Sequence, residues 1–246
     1  MQGTHPDLVL IWDEIAGAIG DVDPDSDTAR RRLRMWVRLR AGVARLADPE
    51  AMARPVGLPP GHPLHPGRSW VRTRVPGDAL DLGLGLLGIL GDPDEVVVAP
   101  PTLLLAAGID AGSWWPQQAN DLERTGRLAA ERLLRDWSAP LRPFGDLDVL
   151  TLLGSTAFRA ALCEVDPVGW RTAAVPMRTR GWLDLGRIDP AFAAAAALAT
   201  EPDERGFDRA VLVTPEEIVM TGSVGRSARH ALEDPPAQVN PWLRRR

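Results

Sequence analysis

Lysine and tyrosine are absent from this chain of 246 residues, so all 28 basic side chains are arginine. Without an amine there is no Schiff base to pyridoxal phosphate or to a carbonyl substrate. The phosphate-reading lysine of a Walker A loop, the kinase lysine and the Ser-x-x-Lys acyl-transfer site are excluded with it. The missing phenol removes tyrosine as acid, base or nucleophile. Arginine stays charged at any accessible pH, so it binds anions but serves poorly as a general base. The lone Cys163 excludes an intramolecular disulfide and any metal site built from several thiolates. No segment reaches the roughly 18 uncharged apolar residues of a membrane span, and no basic region followed by an apolar stretch opens the chain. A cytoplasmic protein is expected. Base composition accounts for the missing lysine, whose codons are A-rich, in a chain dominated by Ala, Arg, Gly and Pro. Selection against amine acceptors for degradation tags is the alternative.

What is present suits a folded chain. Hydrophobic residues make up 45% and charged residues 25%, enough apolar side chains for a core and too few charges for disorder. The net charge of −5 disfavours generic nucleic-acid binding.

Periodicity predicts helices over 6–20 and about 28–47, an N-terminal helical hairpin joined by an acidic connector. The first carries Leu8, Ile11, Trp12, Ile15 and Ile19 on one stripe, and the second Leu33, Trp36, Val37, Val43 and Ala44. Six prolines and three glycines over 49–68 predict a linker and the best boundary between units. An α+β domain is expected over 69–234, with a mobile tail over 235–246. Within it, Trp70–Val75 alternates as a strand does. Leu80–Leu90 and Glu95–Ala99 flank the turn Gly91-Asp-Pro-Asp94 as a hairpin. A short helix near 102–107 precedes a long one, capped by Ser113 and running to Trp137. Residues 147–164 read either as one helix or as a strand turning at Gly154 into a helix. Arg171–Val175 suits a strand, Pro190–Thr200 a helix capped by Asp189, and Ala210–Val213 with Ile218–Thr221 a second hairpin. The sum is an α+β fold in which a mixed or antiparallel sheet with hairpins is packed by amphipathic helices.

Several motifs match the letters of a known site and lack its mechanism. Gly83-Leu-Gly-Leu-Leu-Gly88 spells a dinucleotide fingerprint, but no helix can open after Gly88, because Gly91-Asp92-Pro93 follows at once. Glycines alternating with leucines predict close packing of another element on a strand. Asp21, Asp23, Asp25 and Asp27 have the spacing of the first calcium-loop ligands. Yet Ser26 stands at the turn glycine and Arg32 at the bidentate glutamate. His62 and His65 are two possible metal ligands without a third, and His5 and His230 could join only through the fold. No metal or cofactor is expected.

Two places concentrate candidate chemistry. Ser155 and Thr156 follow Gly154, where a helix N-terminus would attract an anion, with Arg159 one turn on. Arg178, Thr179, Arg180, Gly181, Trp182, Leu183 and Asp184, with the segment on to Asp189, form the second. On an extended run, Arg178 and Arg180 would project together as anion ligands, and Asp184 or Asp189 would act as acid or base if desolvated. Arg30–Arg40 forms a basic face, with solvation its ordinary role. Trp114-Trp115 suits a core, and Asn240–Arg246 a solubilising tail.

Two functions fit. The first is a cytoplasmic, non-catalytic interaction or accessory protein with a protein partner or a second copy of itself. It rests on the failure of every catalytic template beside nine tryptophans and abundant arginine, residues favoured as interface anchors. The second is an enzyme on a small anionic substrate bound by Arg178 and Arg180, with Asp184 as base. It requires these groups to converge on one cavity.

Overall fold

Local capping chemistry starts the helices where the sequence offers an acceptor. The computed structural model describes residues 12–19, 22–135, 140–184 and 190–221. Helix α1 (Trp12–Ile19) is followed by α2 (Asp27–Val43), whose N-cap Ser26 accepts from the Ala29 N–H. Arg32 on α2 donates to the Ile19 carbonyl, the last residue of α1. Residues 1–11 and 20–21 lie outside the described residues, so the helical hairpin as a whole is not established. Trp36, Leu39 and Val43 bury one face of α2 against a cluster with Leu84, Leu86 and Leu103.

Strand β1 (Ala53–Leu58) corrects the expected linker over 49–68. It pairs antiparallel with β3 (Leu80–Leu87) along its whole length, from Ala53 opposite Leu86 to Leu58 opposite Asp81. Proline density argued against a strand, but β1 pairs on only one side, and Pro55 sits where its missing N–H is not needed. The Gly57 N–H points away from β3, donating to Thr151 Oγ1 on a packed helix. Pro55 shares that alternate orientation, so it removes no ladder bond.

After β1, residues 68–70 form a short 3-10 turn, so only β2 (Thr73–Val75) remains of the strand expected from Trp70. On the side of β3 opposite β1, β2 and β4 (Val96–Val98) each pair with part of its length. The β3–β4 hairpin is the one the turn sequence predicts. The glycines of β3 admit neighbours, since a Cβ on Gly83 would stand 2.3 Å from Trp70 Cε2. Trp70 lies flat there and donates from Nε1 to the Leu84 carbonyl.

Helix α3 (Pro101–Ala106) ends before Gly108, whose φ of +73° reverses the chain. Helix α4 (Ala111–Arg135) starts earlier than Ser113: Asp110 accepts from the Gly112 N–H, and Ser113 Oγ donates back to the Asp110 carbonyl. Residues 147–164 are neither a continuous helix nor a strand and a helix. They form α5 (Val149–Gly154) and α6 (Thr156–Glu164), broken at Ser155.

The second sheet runs β6-β5-β7-β8, all antiparallel: β5 (Arg171–Met177), β6 (Arg180–Leu183), β7 (Val211–Val213) and β8 (Ile218–Met220). Helix α7 (Pro190–Leu198) lies between β6 and β7 in sequence. The predicted β7–β8 hairpin is present. The sheets meet where Asp78 bridges Val219 and Ile218 donates to the Pro76 carbonyl. A shared core joins Leu80 and Leu82 of the first sheet, Val175, Val211 and Ile218 of the second, and Leu122, Leu150 and Phe158 of the helices. The fold is α+β. No helix among the described residues is long and apolar enough to cross a membrane.

Candidate functional site

The break between α5 and α6 has a charge at each free helix end. At the start of α6, the Glu123 carboxylate on α4 accepts from Ser155 Oγ (3.0 Å), Thr156 N (2.8 Å) and Ala157 N (2.8 Å). Ser155 Oγ also accepts from Phe158 N as the N-cap. At the end of α5, Arg159 donates to the Leu153 and Gly154 carbonyls at 2.8 and 2.9 Å, and further to Pro215 O and Thr156 Oγ1. Each charge complements the dipole end it meets. Burial lowers the Arg159 pKa from its ordinary value, with Glu123 acting in the opposite direction. Ser155, Thr156 and Arg159 are thus brought together as the sequence suggested. The anion at this N-terminus is the protein's own Glu123, a residue sequence reasoning missed.

Arg178 and Arg180 do not share an extended run. Residues 178–179 form the turn between β5 and β6, so the two side chains part. Arg178 turns to Asp148, with Nε 2.8 Å and Nη2 2.7 Å from Oδ2. The other oxygen of Asp148 caps α5 by accepting from Thr151 N. Asp148 was not singled out in the sequence, either as a helix cap or as the partner of Arg178. Arg180, at the far end of the hairpin, is exposed and sits 6.0 Å from the Trp182 ring centroid, a cation–π distance.

Asp184, the expected acid or base, ends β6 at a φ of +60°. Its carboxylate takes both Nε and Nη2 of the buried Arg171. Arg180 and Asp184 therefore lie at opposite ends of a strand about 13 Å long by the usual rise per residue. They do not converge on one cavity. Asp189 lies outside the described residues.

A shallow, open depression of about 300 Å³ lies instead beside Arg180, lined by Arg142, Pro143, Met177, Thr179 and Arg180. Leu141 exchanges both backbone hydrogen bonds with Gly181, which fixes an antiparallel register. Arg142 and Arg180 flank that pair on the same side. On the other side Met177 pairs with Arg180 across the hairpin. Sequence reasoning missed Arg142, since nothing local in Leu141-Arg-Pro-Phe144 marks it as the neighbour of Arg180.

The remaining motifs are structural. His62 is buried, with Nε2 2.9 Å from the Arg205 carbonyl, while Nδ1 accepts from Leu64 N. Burial is the main cause that lowers its pKa. His65 turns to Asp81, which also holds Arg74. Among the described residues no group of three His, Cys, Asp or Glu could hold a metal ion. The acidic connector is a turn in which Asp23 accepts from Asp25 N. Gly83 and Gly85 lie inside β3, both paired with β1 and Gly85 also with β4. Trp114 and Trp115 pack against the core. Arg30 and Arg34 on the basic face bond within α2. His5, His230 and the tail over 235–246 lie outside the described residues.

Comparison with known protein families, with curated proteins and with solved structures finds no significant match to this chain.

Proposed function

We propose that this protein is a non-catalytic interaction or accessory protein that docks a protein partner on the β5–β6 hairpin. One observation carries the reading. The segment richest in candidate chemistry forms an open surface, while its acid–base candidate Asp184 is held by Arg171 and Arg178 by Asp148. A catalytic carboxylate needs an environment that keeps it reactive and within reach of substrate. Paired with a buried guanidinium, Asp184 instead fixes the end of β6. An exposed arginine stacked near a half-buried tryptophan, with a methionine beside it, has the composition of an interface anchor. The single buried thiol fits a reducing, cytoplasmic setting.

The test is affinity capture from the source cells with the tagged full chain and with Arg180→Glu in parallel, read by quantitative mass spectrometry. At least one protein retained by the parent chain is expected to fall fivefold or more with the variant. Identical protein sets, with both chains folded by circular dichroism, would overturn the assignment of this surface.

A further inference from the structure

The depression beside Arg180 places two cations next to one another. The Leu141–Gly181 pair exchanges both of its backbone hydrogen bonds as an isolated bridge, so Arg142 and Arg180 flank it on the same side, and both line the depression. Like charges held close to one another repel. Both side chains are exposed, and neither has a carboxylate partner among the described residues. Arg178 between them in sequence is already neutralised by Asp148. Arg54 and Arg171, by contrast, are paired with Asp146 and Asp184. Among the described residues, no anion is supplied to the Arg142–Arg180 pair.

We infer that this depression receives a carboxylate side chain of an acidic partner segment, held between Arg142 and Arg180, with an adjoining apolar side chain against Met177 and Pro143. The inference rests on the interaction reading and names the chemistry of its partner. The planar guanidinium forks suit a carboxylate held by parallel N–H···O bonds. The apolar half of the lining favours a protein segment over a phosphate polymer, which would leave Met177 and Pro143 without a matching surface. The overall charge of −5 opposes a polyanion at long range, whereas one or two carboxylates meet only the local arginines.

The probe is an acetylated, amidated peptide of alternating glutamate and leucine, titrated into the full-length protein and followed by amide resonances. Saturable shifts are expected at Thr179, Arg180 and Gly181. Affinity is expected to fall at least tenfold with the Arg142→Glu/Arg180→Glu double variant, and as much with a peptide carrying glutamine for glutamate. Unchanged affinity in either control, or no shifts at millimolar peptide, would overturn the inference. So would tighter binding of a short single-stranded DNA at the same resonances, which would assign the pair to phosphate. A partner lost with Arg180→Glu in capture, together with no peptide binding, would sink the acidic occupant and leave the interaction surface standing.

Discussion

Glu123 and Ser155 are hydrogen-bonded at 3.0 Å although 32 residues separate them. Through this contact α4 holds the start of α6, while Arg159 of α6 closes the end of α5. The same carboxylate takes two backbone donors of α6, so it fills the place an external anion would occupy. Gly126, one turn along α4 from Glu123, makes room for the approach, because a Cβ there would stand 2.2 Å from Ser155 Oγ.

Removing that carboxylate tests whether the helix break depends on it. Glu123→Ala is expected to lower stability by about 2–3 kcal/mol in urea unfolding, since three donors lose their acceptor. Glu123→Gln, which keeps one acceptor oxygen, should cost about half. Added sulfate should recover part of the loss in Glu123→Ala and do nothing comparable for the parent chain. A variant within about 0.5 kcal/mol of the parent, a typical error for a neutral surface change, would contradict this account.

His62 makes stability depend on pH in a defined direction. Its Nδ1 accepts from Leu64 N while Nε2 faces the Arg205 carbonyl, so only the neutral imidazole protonated at Nε2 satisfies both. Burial lowers the folded-state pKa, helped by Arg178 and opposed by the Arg205 carbonyl, Asp203 and Asp148. In the unfolded chain the ring takes up its proton as pH falls through about 6.5. The unfolded state then binds more protons, so the contribution of His62 is full above about 6.5, declines below it, and levels off beneath the folded value. Thermal melts between pH 5 and 8 should show a shallower acid decline for His62→Gln. Parallel curves for the two proteins would remove His62 from the explanation.

Gly83→Ala probes the contact between β3 and Trp70. The added methyl meets an indole that is fully buried and hydrogen-bonded to the Leu84 carbonyl, so neither the ring nor the strand moves freely. Overpacking of this kind costs about 1–3 kcal/mol, and a corresponding fall in the denaturation midpoint is expected. A melting temperature equal to the parent's would mean the ring can shift at no cost.

Cys163 should behave as an inert thiol in the native protein. Its Sγ donates to the Val213 carbonyl, and burial pushes its pKa up to about 11. Thiolate is the reactive form, so alkylation by iodoacetamide at pH 8 should be slow until denaturant unfolds the chain. As the chain has one cysteine, labelling would then report unfolding directly. Rapid modification under native conditions would show that α6 opens locally.

Sequence reading was strongest where one residue's neighbours along the chain set its conformation. The β3–β4 and β7–β8 hairpins follow from alternation interrupted by turn residues. It failed at β1, because proline content records which residues cannot donate without recording which way each N–H points. It failed again at 147–164, where the apolar run alone cannot reveal that Glu123 and Arg159 stabilise a break.

The sequence by itself determined an α+β chain with a core, and it excluded amine, phenol and multi-thiolate chemistry, since these depend only on which atoms are present. The tertiary structure alone decided which charges meet. Arg178 finds Asp148, Arg171 finds Asp184, and Arg54 finds Asp146 across 92 residues, while Arg142 and Arg180 are set side by side. Short-range periodicity and capping act within a few residues. An ion pair needs two side chains within about 4 Å, and only the packing of sheets and helices settles that distance.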